Sequence, residues 1–140
     1  MATYDTLPIY KSCYDFLLRI MHVVTHFPKD YKYSLGEKIQ TTAIETVICI
    51  YRANTEKYKS QHLKSMLHYI QMLYLFLRIS HDIKILPQEK YTSIVFMLDN
   101  ISRQARGWLT STQKKDDASE KVVEQNIQTE EHAKEATACP

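Results

Sequence analysis

His22 and His26 stand four residues apart, a spacing that puts two imidazoles on one helix face within reach of one metal ion. No third ligand accompanies them, and two histidines on a half-exposed face ordinarily have a structural role. A carboxylate-bridged di-iron bundle needs Glu-x-x-His pairs on facing helices, and the chain has none. Its two glycines, Gly36 and Gly107, are too far apart to form a phosphate-cradling loop. These absences argue for a non-enzymatic protein with neither metal nor cofactor. The basic residues point elsewhere. Arg52, Lys57, Lys59 and Lys64 cluster along one stretch, and Arg103 and Arg106 along another. If the two stretches meet, they make a surface that contacts phosphates without reading sequence. The solvated reading is a salt-bridged rim with Glu56 as neutraliser. Tyrosines such as Tyr10, Tyr14, Tyr58, Tyr69 and Tyr74 either stack on bases or line helix and subunit interfaces.

The elements that position these residues follow from apolar spacing. Ile9, Cys13, Phe16, Ile20, Val24 and Phe27 recur at steps of three and four. Leu35, Ile39, Ala43, Val47 and Ile50 do the same, then Leu63, Met66, Ile70, Leu73 and Leu77. Tyr91, Ile94, Leu98, Ile101, Ala105 and Trp108 form a strict heptad seam. The breaks "FPKDYKYS", "TEKYKSQ" and "SHDIKILP" separate four helices. Pro28 cannot continue the first helix, Ser60 suits the cap of the third, and Pro87 suits the first turn of the fourth. Four helices with short links predict an all-α, antiparallel up-down-up-down four-helix bundle over residues 1–112. Residues 113–140 are polar and too poor in apolar groups to pack, which predicts a disordered acidic tail.

Up-down topology sends Arg52, Lys57, Lys59, Lys64, Arg103 and Arg106 to one end of this bundle, with Trp108 among them and Lys11, Lys32 and Lys38 away from it. Residues 1–110 carry a net charge of +5 and residues 111–140 a net charge of −3, within an overall +2. An anionic partner therefore suits the body. The cysteines Cys13, Cys49 and Cys139 are odd in number and lack the C-x-x-C spacing, which predicts a reducing, cytoplasmic setting with Cys13 and Cys49 as small core residues. No apolar run approaches the roughly 20 residues of a membrane span, and "MATYDTLPIY" lacks a signal-peptide pattern.

Ser34 and Glu37 match a capping box that would begin the second helix. That box does not account for Gly36, and a glycine inside a helix costs about 1 kcal/mol relative to alanine. Close approach by another group is the remaining reason, at Gly36 and at Gly107 beside Trp108. Helix 1 also carries Phe16, Leu17, Leu18, Ile20 and Met21, and helix 3 the unbroken run from Met72 to Leu77. One bundle seam cannot bury all of these, which predicts a homo-oligomer or a partner covering them.

Three of these stretches together resemble a known family. "FPKDYKYSLGEKI", the pattern Leu-Arg-Ile-x-x-Asp at 77–82 followed by Tyr91, and "RQARGWLTS" are similar, in order, to marks of a group of bacterial four-helix proteins. The group holds the Avd accessory proteins of diversity-generating retroelements and relatives encoded in intervening sequences of ribosomal RNA genes. The likeness covers about residues 8–112, and the Leu-Gly start and Gly-Trp ending favour the Avd branch. It implies a basic homopentamer without catalysis that binds a reverse transcriptase and RNA or DNA. Such a protein supports adenine-mutagenic copying of a template-repeat RNA. The alternatives are an intervening-sequence protein of obscure role and a helical ribonuclease of the HEPN type, whose loose Arg-x(4–6)-His spacing Arg19 and His26 fit.

Overall fold

The first helix begins where proline is tolerated. A computed structural model describes residues 6–138, with side chains as far as Lys134; Cys139 lies outside the described residues. Helix α1, Pro8–Val24, opens with Pro8, whose missing N–H is not needed in a first turn. It closes where the Thr25 hydroxyl donates to the His22 carbonyl at 2.6 Å. Pro28 then starts a single turn, α2 (Lys29–Lys32), its carbonyl accepting from the amides of Tyr31 and Lys32, both at 2.9 Å. Helices α3 (Leu35–Thr55), α4 (Lys59–Asp82) and α5 (Gln88–Ala138) follow, and there is no strand among the described residues.

The ends of these helices depart from the expected caps. Ser34 is the N-cap of α3, but its hydroxyl donates back to the Asp30 carbonyl at 3.1 Å, so no capping box with Glu37 forms. Its backbone, φ −117° and ψ −88°, is outside the extended region that aims a cap hydroxyl at the new helix. Tyr58, not Ser60, is the N-cap of α4, because α3 runs to Thr55 and the short link starts the next helix at Lys59. Pro87 precedes α5, and its carbonyl accepts the Tyr91 amide at 2.9 Å. At the end of α4, Ile85 donates to Ser80 and Lys84 to His81, both at 3.0 Å, the Schellman pattern. Its left-handed residue is Lys84 (φ 66°) where glycine is usual.

One core joins the four long helices. All six residues of the first seam, five on α1 and Phe27 just beyond it, and all five α4 seam residues are buried. On α5, Ile94, Leu98, Ile101 and Ala105 are wholly buried, while Tyr91 and Trp108 pack half-buried at the ends of the seam. Helix α3 is turned from its expected face: Gly36, Ile39, Thr42, Ala43, Thr46, Cys49, Ile50 and Ala53 are buried, and Leu35 and Val47 lie at the edge. Thr42 and Thr46 tolerate burial because their hydroxyls donate to the carbonyls of Lys38 and Thr42, at 2.6 and 2.9 Å. Small residues on this face suit close packing of α3 against α1 and α4.

The chain divides into two units, Met1–Leu109 and Thr110–Pro140. The first contains the four-helix arrangement. The second, as far as it is described, is helical to Ala138, where disorder was expected. Alanine, glutamate, lysine and glutamine supply the local helix preference that composition-based disorder overlooks. Its lack of packing does match the composition: all described side chains from Gln113 to Lys134 are exposed.

Candidate nucleic-acid interface

Contacts across the bundle fix which helix ends lie together. The start of α3 meets the end of α1, because a Cβ built on Gly36 would stand 2.7 Å from Val24 Cγ1 and 3.3 Å from the Tyr31 carbonyl oxygen. Real Cβ atoms do not approach so closely, so only glycine fits there without displacement. Gln104 Nε2 donates to Ser12 Oγ at 3.1 Å, which sets that part of α5 beside the start of α1. The start of α1, the α3–α4 junction and residues near 104 of α5 therefore share one end of the bundle. Lys11 belongs to this end too, not to the far end with Lys32 and Lys38.

Arg52, Lys57, Lys59, Lys64, Arg103 and Arg106 are all exposed. The structure sorts them into a junction group and a flank group. Arg52 closes α3, Lys57 lies in the link, and Lys59 opens α4. The hydroxyl of Tyr74 donates to Asp99 Oδ1, setting these α4 and α5 positions side by side. At 1.5 Å per residue, Lys59 lies about 22 Å from Tyr74 along its helix. On the same basis Lys64 lies about 15 Å away, and Arg106 about 10 Å from Asp99 in the same direction. Lys64, Arg103 and Arg106 thus flank the bundle short of its tip, and Lys64 links the two groups. Burial and the bond to Asp99 push the Tyr74 phenol up to about 12, while Arg106 pulls it the other way.

Two acids in this region are engaged. Glu56 Oε2 lies 2.5 Å from His62 Nε2, across the α3–α4 junction. Asp99 accepts from Tyr74. The first pair lies close in sequence, whereas Tyr74 and Asp99 are 25 residues apart and only folding brings them together.

The remaining candidates resolve differently. Gly107 has nothing within 4 Å of a built Cβ, so close approach within the chain does not explain it. With Trp108, Gln104, Leu7, Pro8 and Ile9 it lines an open groove of about 350 Å³. The His22 and His26 rings meet edge-on, centroids 4.9 Å apart, and His26 Nδ1 lies 3.1 Å from the His22 carbonyl oxygen. Among the described residues no three potential ligands gather around a metal position. Arg19 is exposed and makes no hydrogen bond or ion pair with His26 among the described residues. Cys13 and Cys49 are buried free thiols, pushed up by burial to about 12 and about 11, which keeps them unreactive.

Among the described residues no helix is long and apolar enough to cross a membrane. A search of curated proteins finds no match to the sequence. A family model described as bAvd-like matches residues 7–112, spanning the packed helices and ending just past the Gly-Trp pair. That covers most of the 140 residues, and the chain belongs to the bAvd-like family.

Proposed function

We propose that this chain is the non-catalytic accessory protein of a diversity-generating retroelement, working in the bacterial cytoplasm. It binds the element's reverse transcriptase and nucleic acid, and supports mutagenic copying of the template-repeat RNA. The observation that carries this reading is the bAvd-like match over residues 7–112. Exposed Arg52, Lys57, Lys59, Lys64, Arg103 and Arg106 supply phosphate contacts. The apolar residues that the bundle leaves outside, Leu18 at 53% exposure, Leu75 at 57% and Phe96 at 71%, support self-association or the reverse transcriptase as cover. Family resemblance favours a pentamer.

The deciding experiment copies a template-repeat RNA with the reverse transcriptase of a diversity-generating retroelement, with and without the purified chain, and sequences the cDNA. The chain should bind the enzyme and raise both cDNA yield and substitution opposite template adenines. No binding and unchanged cDNA would overturn the proposal. In solution, light scattering should give a multiple of 16.5 kDa; a monomer at micromolar concentration would remove the oligomer from this reading. For the nucleic-acid surface, Lys57, Lys59 and Lys64 changed together to Gln should weaken binding and flatten its dependence on salt. Lys29, Lys32 and Lys38, which belong to the other end, are the charge-matched control. Equal losses would leave only a diffusely basic body.

A further inference from the structure

Exposed tyrosines occur beside basic residues at both ends of the bundle, and the two ends differ in what surrounds them. At the α3–α4 end, Tyr58 is 70% exposed between exposed Lys57 and Lys59. Tyr51, 50% exposed, immediately precedes Arg52, and Tyr14, 45% exposed, stacks on Tyr10 with centroids 6.0 Å apart. Among the described residues the Tyr58 ring makes no ring contact and its hydroxyl no hydrogen bond. The nearby acid Glu56 is held by His62. At the other end, Tyr33 is equally exposed but lies 6.0 Å under the Lys32 ammonium, and Asp30, Glu37, Asp82 and Glu89 offset most of the charge of Lys29, Lys32, Lys38, Lys84 and Lys90. Among the described residues, the α3–α4 end combines an unengaged aromatic face, that of Tyr58, with two lysines beside it, Lys57 and Lys59, that make no ion pair.

That combination separates two forms of nucleic acid. A duplex keeps its bases stacked on each other and offers a protein only phosphates and groove edges, for which lysines suffice. A single strand offers free base faces, and an exposed ring between cations can take one while the cations hold the flanking phosphates. Resting on the nucleic-acid reading above, we infer that the α3–α4 junction is a site for unpaired nucleic acid, with Tyr58 as its stacking platform and Lys57 and Lys59 on the adjoining phosphates.

The test compares three labelled probes by fluorescence polarisation: a 20-nucleotide single strand, the blunt duplex of the same sequence, and a strand of equal length made of abasic sites. The full chain should bind the single strand most tightly. Tyr58→Ala should weaken that binding by about fivefold to 150-fold, the range of one lost stacking contact. It should leave duplex binding, abasic binding and the salt slope unchanged, and Tyr58→Phe should restore the loss. Equal loss on the abasic strand, or equal wild-type affinity for duplex and single strand, would overturn the inference. So would a change of oligomeric state in Tyr58→Ala, since the ring would then belong to a contact between copies. If the lysine changes weaken all three probes while Tyr58→Ala does nothing, stacking fails and the nucleic-acid reading stands. If no probe binds in a salt-dependent way, both fail.

Discussion

Helix α5 contains two regions that share a backbone conformation and little else. From Gln88 to Leu109 its heptad seam is closed off from water, with Ile94, Leu98, Ile101 and Ala105 at 0% exposure. From Thr110 onward its largest apolar residues, Val122, Val123 and Ile127, remain at least half exposed. The first region is held by burial, at roughly 25 cal/mol for each Å² of apolar surface removed from water. The second rests on helix propensity and on i,i+4 pairs such as Glu130 with Lys134, worth a few tenths of a kcal/mol each. Like-signed neighbours at the same spacing, Asp116 with Glu120 and Glu120 with Glu124, work against it. A helix can be written locally, but only tertiary packing makes it costly to lose.

The contrast breaks most visibly in the core. Leu73→Ala should cost about 2–5 kcal/mol in urea unfolding, because its site is wholly buried and cannot collapse fully. Ile127→Ala, the same kind of truncation in the second region, should change stability by less than about 0.5 kcal/mol. Comparable losses would mean that the second region packs.

A smaller effect is expected at Gly36. Alanine there gains about 1 kcal/mol of helix propensity but drives its Cβ onto the stiff Val24 side chain, 2.7 Å away. Overpacking costs about 1–3 kcal/mol, so Gly36→Ala should lower the unfolding midpoint. A rise would show that α1 can yield. The comparison with Gly107 sharpens this, because open space there leaves only the propensity term. Gly107→Ala should therefore stabilise by up to about 1 kcal/mol, unless a bound partner occupies that space, in which case binding weakens while stability rises.

Alkaline pH should act on the body. Burial raises the thiols of Cys13 and Cys49 from 9.0 to about 12 and about 11. Burial and the Asp99 bond raise the Tyr74 phenol from 10.0 to about 12. Each folded pKa lies above its unfolded value, so the stabilisation is complete below the unfolded pKa and is lost as pH rises through the folded one. Thermal midpoints should fall from pH 9 toward pH 12, and Tyr74→Phe should lessen the part of that fall above pH 10. A flat midpoint across this range would contradict the burial of these groups.

The smallest effect belongs to truncation. Ending the chain after Thr112 should leave the midpoint within error while removing helical circular-dichroism signal in proportion to length. A large drop in midpoint would erase the distinction between the two regions.

The sequence by itself determined the helical class, the four long elements, three of the four buried seams and the boundary near residue 110. These depend on spacing within a turn or two, which local geometry fixes. It also brought Arg52, Lys57, Lys59, Lys64, Arg103 and Arg106 to one half of the bundle, since topology alone decides that. Only the tertiary structure decided which face of α3 turns inward. That choice depends on how closely α1 and α4 approach, and small Gly36, Ala43 and Ala53 allow what the pattern through Leu35 and Val47 does not show. It likewise moved Arg103 and Arg106 down the flank, placed Lys11 at the basic end, sent the Ser34 hydroxyl back to Asp30, and joined Tyr74 to Asp99. Each of these is a relation of register between helices, set by packing many side chains at once and carried by no short stretch of chain.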